Sequence, residues 1–466
     1  MLPDDALLAI FDFCAYQYGR RKEDIEVWQT LVHVCRRWRS LVFASPRRLN
    51  LRLVYAAKTP ARDALDVWPA LPLVIQCDPC RIGYMDNIVA VLERNNRVCQ
   101  ISLSGISSLD LEKCSVEMQV PFPELTQLVL KSEEKTVPVL PDSFLGGSAP
   151  RLRDIRLNGV PFPGLPNLLL SATHLVNLYL FNIPHSGYIS PDAMVSVLST
   201  LTSLESLELV FRSPRSCPDP ASRRPPPSTR SVLSTLINFS FKGVSEYLED
   251  LVACIDAPRL GSFRIIFSND IVFDTPQLTQ FISRIPTFKP LDRAEVSFGD
   301  GSAVIQISPT SYLIPWVSVR ILCSGLDWQM SSVEQVCTSY LTPLFILETL
   351  YIFENCRSWP PEWNDNIENT QWLELLRPFT AVKNLYLSEE FARRIVPALQ
   401  ELNGGRTTEV LPALENIFLE GLEPSGPVHE SIGQFVATRQ VTGHLIAVSR
   451  WIPHTDYKAA FQGVGG

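Results

Sequence analysis

The chain has 466 residues, 46% of them hydrophobic and only 19% charged, with a formal net charge of -8. That balance excludes a globally disordered chain and disfavours nucleic acid as the principal partner, because phosphate binding relies on clustered cations. The length exceeds what one compact core accommodates, so a small N-terminal unit followed by one elongated array is the simplest organisation.

Eleven cysteines, an odd number without framework spacing, read as free thiols in a reducing compartment, which points to cytoplasm or nucleus. The start MLPDDALLAIFDF lacks a basic leader and carries Asp4, Asp5 and Asp12, unlike a signal peptide. The richest apolar stretch, Tyr340 to Phe353, is broken by Pro343 and Glu348, so no membrane span is expected.

In chain order, Pro3 with Asp4 and Asp5 supplies helix-start chemistry, and Ala6, Leu7, Ile10 and Phe11 continue as an apolar stripe. From Val27 to Val42, VWQTLVHVCRRWRSLV, the residues Val27, Leu31, Val34, Trp38 and Leu41 recur at three- and four-residue steps. On one helix they form a continuous stripe, with Arg36, Arg37 and Arg39 off it. Taken alone, such a stripe is ordinary core packing. Ser45-Pro46 breaks the helix.

The ordered succession of LPDDALLAIF, VCRRWR and SPRRL between Leu2 and Leu53 resembles the F-box-like motif in the form common among fungal F-box proteins. The resemblance implies helices that dock on a Skp-type adaptor of a cullin-based ubiquitin ligase, while the remaining chain selects the protein to be ubiquitinated. It further implies an adaptor-facing set of Leu2, Pro3, Leu7, Ile10, Phe11, Leu31, Val34, Cys35, Trp38 and Leu41. Ubiquitin transfer then belongs to the partners, and this chain is not an enzyme.

Leu49, Leu51 and Leu53 alternate as a short strand, Ala57 to Pro72 links, Leu73 to Ile75 is a second strand and Asp86 to Glu93 a short helix. A frame then repeats. Val98-x-x-Ile101-x-Leu103 returns at Leu125, Leu152, Leu175 and Leu204, with aromatic substitutions at Leu236 and Leu260, and again at Leu347, Val382 and Leu414. Neighbouring clear copies lie 23 to 35 residues apart, and weaker ones sit near Val296 to Phe298 and Trp316 to Ile321. Helix signatures fall between them: Ser190-Pro191-Asp192, Thr275-Pro276, and a capping box of Ser331 with Glu334.

The pattern resembles leucine-rich repeats, although the asparagine after the strand is sporadic, as at Asn158 and Asn182. The predicted fold is an α/β solenoid, an irregular leucine-rich repeat array with parallel strands on a concave face and helices behind, preceded by a small all-α F-box-like unit. Its predicted parts are residues 1–53 as the helical domain, 54–97 as linker and solenoid entry, 98–450 as the array and 451–466 as a flexible tail. Ser213 to Thr229, rich in proline, serine and arginine, is predicted as a mobile loop.

No motif carries chemistry. Cys77-Asp78-Pro79-Cys80 has zinc-knuckle spacing but lacks a second close pair. Gly146-Gly147-Ser148 lacks both the lysine of a phosphate loop and the frame of a nucleophile elbow. The six histidines are scattered, and no metal or cofactor is expected. What remains is a surface. Residues alternating with the core positions should face the concave side, and among them Arg156, Tyr179, Phe181, Arg264, Tyr351, Phe353, Tyr386 and Phe418 are the expected contacts to a target protein. A second reading is a scaffolding repeat protein whose N-terminal helices only cap the solenoid.

Overall fold

The computed structural model describes residues 2–18, 27–45, 49, 51–56, 61, 65, 70–80, 84–163, 167–213, 229–268, 275–289, 291–310, 316–340, 346–355, 367–402, 406, 408–421 and 426–452. Most of the stretch predicted as a mobile loop, and nearly all of the tail, lie outside these residues. The chain divides into two compact units, Met1–Arg212 and Ser213–Gly466.

The first unit begins with three helices, α1 (Asp4–Tyr18), α2 (Val27–Val34) and α3 (Arg36–Ala44). The single helix expected from Val27 to Val42 is therefore two. Cys35 interrupts it with an extended backbone, and its Sγ accepts the Trp38 N–H at 3.5 Å as the cap of α3. With the register broken there, the predicted stripe does not exist; Leu7, Leu8, Phe11, Trp28, Val32 and Val42 form the buried core instead. The arginines set aside by the stripe tie the helices together. Arg37 binds the Asp4 carboxylate and the Leu2 carbonyl, each at 2.6 Å, and Arg39 donates to the Val32 carbonyl at 3.0 Å. The Trp28 indole N–H donates to the Arg52 carbonyl at 3.0 Å, which fixes these helices to the start of the sheet.

That sheet consists of β1 (Leu53–Ala56), β2 (Leu73–Cys77), β3 (Val98–Ser104), β4 (Gln127–Lys131), β5 (Asp154–Asn158), β6 (Asn177–Ile183) and β7 (Ser206–Phe211). Each strand pairs in parallel with the next in sequence. The strand expected at Leu73 to Ile75 lies within β2, and residues 54–97, predicted as linker and solenoid entry, hold β2 and most of β1, whereas Leu49 and Leu51 are buried without belonging to a strand. Helices α4 (Met85–Leu92), α5 (Ser108–Glu117), α6 (Asn167–Ser171) and α7 (Pro191–Thr200) alternate with the strands. As predicted, Ser190 caps α7: its Oγ accepts the Ala193 N–H at 3.2 Å, with Pro191 in the first turn. The Gly146-Gly147 pair forms a turn of positive φ, and a Cβ on Gly146 would meet Pro121 at 2.8 Å. Only glycine fits there.

In the second unit, β8 (Ser231–Val232) pairs with β10 (Ile255–Asp256). The main strands are β9 (Asn238–Gly243), β11 (Ser262–Phe267), β12 (Arg293–Gly299), β13 (Ser302–Ser308), β14 (Trp316–Leu322), β15 (Thr349–Glu354), β16 (Asn384–Leu387), β17 (Asn416–Glu420) and β18 (Ala447–Trp451). Their order in space is β9-β11-β14-β13-β12-β15-β16-β17-β18. The two weak copies of the frame are therefore not successive repeats. Asp300 and Gly301 alone separate β12 from β13, too few residues for a parallel crossover, so the chain turns back as a hairpin. β13 is antiparallel to both neighbours, and β14 takes the place beside β11. This corrects the wholly parallel expectation.

Helices α8 (Ser245–Ala253), α9 (Pro276–Arg284), α10 (Leu326–Tyr340), α11 (Asn369–Leu376), α12 (Glu389–Gln400) and α13 (Pro427–Val441) complete the unit. Because α10 starts at Leu326, Ser331 and Glu334 lie inside it and do not cap it. Pro276 does open α9, but the cap is distant in sequence: the buried Glu249 carboxylate accepts the Gln277 and Leu278 N–H groups at 3.0 and 2.6 Å. A carboxylate at a helix start also meets the favourable end of the helix dipole. Between strands and helices the rings interlock. Phe263 stacks on Phe239 at 5.2 Å and meets Phe281 of α9 edge-on at 5.7 Å, and Phe391 of α12 lies 5.1 Å from Phe298.

Phe263→Ala should destabilise the second unit by about 3–5 kcal/mol, the range for emptying a fully packed aromatic site. Urea unfolding followed by circular dichroism measures it, and a loss below about 1 kcal/mol would show that this ring layer does not hold helix and sheet together.

Candidate functional site

Along most strands buried side chains alternate with partly exposed ones, which define an outer, open face, whereas every residue of β12 is buried. In the first unit this open face brings Arg156, Tyr179 and Glu208 into one register row. The Arg156 guanidinium lies over the Tyr179 ring at 4.8 Å, and Tyr179 and Phe181 stand parallel at 6.0 Å. Beside them Asn177 donates to the Asp154 carboxylate at 2.6 Å, and Asn182 donates to Asn158 at 2.8 Å. The asparagines singled out in the sequence thus bridge neighbouring repeats. Of the expected target contacts, Arg156, Tyr179 and Phe181 meet here. Arg264, Tyr351, Phe353, Tyr386 and Phe418 belong to the other unit.

On the open face of the second unit, in-register pairing places Glu295, Tyr351, Tyr386, Phe418 and Ser449 side by side across five strands. Neighbouring strands are about 4.8 Å apart, so rings at one frame position stack as a ladder. Tyr351 and Tyr386 have centroids 4.2 Å apart, and Tyr386 and Phe418 are at 4.3 Å. Arg293 closes the Tyr351 end, 4.4 Å over the ring. Trp451 meets Tyr351 and Tyr386 edge-on at 5.8 and 5.6 Å. Trp451 was not among the expected contacts, although it alternates with Ser449 as the others do within their strands. Phe353 is half-buried and in register with Ser297.

The same register row continues the other way from Glu295 through Gln306 and Ser318 to Arg264. The Arg264 guanidinium sits 5.4 Å over the Trp316 ring. Within β12, Arg293 and Glu295 form a buried ion pair. Burial pushes the Glu295 carboxyl above the usual carboxylate range, and the attraction of Arg293 only partly offsets it.

In the helical unit, the expected adaptor set separates into layers. Leu7 and Phe11 are buried, with Trp38 edge-on to Phe11 at 4.7 Å. Leu7 and Phe11 thus belong to the packed interior of the helical unit in the free chain. Leu31, Trp38 and Leu41 are half-buried; Leu2, Pro3, Ile10, Val34 and Cys35 are exposed. Phe13, absent from the expected set, is exposed as well. At 100° per residue, Ala6, Ile10 and Phe13 share one flank of α1, beside the buried stripe. Arg37 holds the Leu2 carbonyl near the junction of α2 and α3, where Val34 sits.

Elsewhere, the Cys80 thiol donates to the Cys77 carbonyl at 3.3 Å, and the Cys114 sulfur lies 3.2 Å from that of Met85. Burial pushes the Cys80 thiol up strongly and that of Cys114 up to about 12. These thiols stay protonated near neutral pH. Among the described residues no group of three His, Cys, Asp or Glu could hold a metal ion, and no helix is long and apolar enough to cross a membrane. A cavity of about 230 Å³ opens where β17 ends and α13 begins, lined in part by Glu389, Arg393, Pro427 and His429. Its Arg393 is paired with Glu389 within α12.

No protein-family model matches the chain, and no curated protein matches it. Among solved structures, it is similar to the leucine-rich repeat-containing protein LegL7 from Legionella pneumophila, with 12% identity and a TM-score of 0.27 over 82% of this chain and 96% of that one. The repeat character of this chain rests on its own frame, pairing and alternation.

The raised carboxyl of Glu295 sets the sign of a pH effect. A group whose folded pKa exceeds its unfolded value adds stability that is fully present below the unfolded pKa and is lost as pH rises through the folded one. The stability of the wild type relative to Glu295→Gln should therefore fall as pH rises from about 4 towards 8, as read by urea unfolding of both proteins across that range. A difference that stays constant or grows would refute the assignment.

Proposed function

We propose that this chain is the substrate-recognition subunit of a Skp-cullin-F-box type ubiquitin ligase, with the N-terminal helices binding the adaptor and the open sheet surface binding a target protein. The observation that supports it most is the exposure of Leu2 (54%), Ile10 (45%), Phe13 (63%) and Val34 (57%) in the helical unit, where Leu7, Leu8, Phe11, Trp28, Val32 and Val42 are buried. Four large apolar side chains exposed on one small helical unit give a partner apolar surface to cover, and each one fully covered contributes about 1.5–3 kcal/mol. The F-box-like order of the segment supplies the identity of that partner. The chain performs no catalysis of its own, needs no cofactor and works in the cytoplasm or nucleus, where its thiols remain reduced.

The scaffolding alternative makes these helices a cap on the array. A cap turns its apolar stripe inward, and here Trp28 makes the contact to the start of β1 while Val34 stays exposed. That arrangement favours the receptor reading.

Val34→Asp should abolish binding to a purified Skp-type adaptor in a pull-down while leaving the circular dichroism spectrum and urea midpoint unchanged. Ile10→Asp with Phe13→Asp should behave alike. A well-folded wild type that binds no adaptor would sink the receptor reading, and a Val34→Asp chain that unfolds would favour the cap.

A further inference from the structure

The last strand of the second unit has an unpaired side. Among the described residues β18 pairs with β17 alone. The Ala447 N–H donates to the Glu415 carbonyl, on the β17 side, at 2.9 Å, and the backbone groups of successive residues in a strand point to opposite sides. Ser449 and Trp451 therefore turn towards β17 as Ala447 does, while Val448 and Arg450 present their N–H and C=O groups outward. Such an edge is a template for another strand.

The side chains of this edge select what can be added to it. Leu387, Leu419 and Arg450 share one register row, and Leu385, Ile417 and Val448 share another. In β16 and β17 these positions are fully buried. At the end of the first row β18 substitutes a cation: Arg450 is exposed, and among the described residues its guanidinium makes no hydrogen bond or ion pair. A charge on the core side of an edge strand opposes the addition of an apolar strand, which would bury that charge unpaired. A carboxylate on the incoming strand removes the cost by a charge-assisted hydrogen bond from the guanidinium. Two copies of this chain joined edge to edge would instead bring both Arg450 side chains to the same seam and supply neither with a carboxylate. Leu445 and Ile452, both strongly exposed, lie just before and just after the strand. A segment longer than β18 thus has apolar surface to cover at both ends.

We infer that the free edge of β18 takes an extended segment of a partner protein by strand addition, with an Asp or Glu of that segment opposite Arg450. Antiparallel addition is the more stable pairing per residue. It places the residue opposite Val448 two positions after the carboxylate and on the same side. The signature of the segment is therefore Asp or Glu, then any residue, then a β-branched or large aliphatic one. Neither the open face nor the N-terminal helices enter this recognition.

The probe is a fluorescent peptide about ten residues long, of alternating Thr and Val, with Glu replacing one central Val. Its twin carries Lys at that place. With the labelled peptide at trace concentration and the full chain titrated in, fluorescence anisotropy should show the Glu peptide binding about tenfold or more tightly than the Lys peptide. On Arg450→Glu the order should reverse. Val448→Pro removes an outward N–H without removing a bond to β17, and it should lose both peptides while its circular dichroism stays that of the wild type. Misfolding cannot reverse a preference, so the charge swap decides the matter even if the proline variant unfolds. A preference for Glu that persists on Arg450→Glu, binding retained by a folded Val448→Pro, or no binding of either peptide to the wild type would each overturn the inference. Binding that appears only once residues 453–466 are removed would overturn it in favour of the chain's own tail as the occupant. A wild-type dimer in analytical ultracentrifugation that Val448→Pro dissociates would overturn it in favour of a second copy.

Discussion

Everything in this protein follows from sealing one side of a sheet. Helices cover the inner positions of the strands, so those positions must be apolar, and Leu128, Ile155, Leu178 and Leu207 or Phe239, Phe263, Leu350, Leu385 and Ile417 are accordingly buried. Desolvating this layer in each unit supplies the main driving force for folding. Register is then no longer free, because a slip of one residue would turn every buried side chain outward. The open face inherits that register. Tyr351, Tyr386 and Phe418 stack because the leucines and isoleucines flanking them are locked behind the sheet.

Buried charges appear where the chain needs a joint. Glu249 reaches from α8 to the start of α9, the Arg439 guanidinium is fully buried and donates to the Val410 carbonyl at 2.6 Å, and Arg293 with Glu295 sits at the centre of the open face. Arg293 and Glu295 pair within β12, whereas Glu249 and Arg439 connect segments that lie apart in sequence, where an apolar side chain would pack without specifying the partner. Arg37 does the same at the surface, joining α1 to α3.

The repeats were readable from the sequence because each strand announces itself within six residues, and the proline-led starts of α7 and α9 are equally local. What was not readable depended on choices between near-equivalent arrangements. Leu7, Ile10 and Phe11 are all apolar on α1, and periodicity alone does not say which flank meets the neighbouring helices; packing buried Leu7 and Phe11 and left Ile10 outside. Cys35 breaks a helix without glycine or proline, through a weak thiol cap that no propensity favours. The hairpin did carry a signal: Asp300-Gly301 between alternating runs is the residue pair of a tight β-turn. That pair reveals the turn. It does not reveal that β14 will displace β12 from the side of β11, since that is decided by the sheet as a whole. In the same way the open-face residues were legible one by one, but their stacking as a ladder required the strand order.

The reversed strand order also governs how the second unit assembles. In a simple array each repeat adds to its predecessor, and the sequence gap closed at every step is short. Here Ser262 must find Trp316 rather than a residue of the next strand, more than twice the separation that joins Asn238 to Ser262. Arg293 likewise waits for Thr349. Closing those longer loops costs more chain entropy than adding a neighbouring repeat, so the strand exchange raises the contact order of the second unit above that of a simple array.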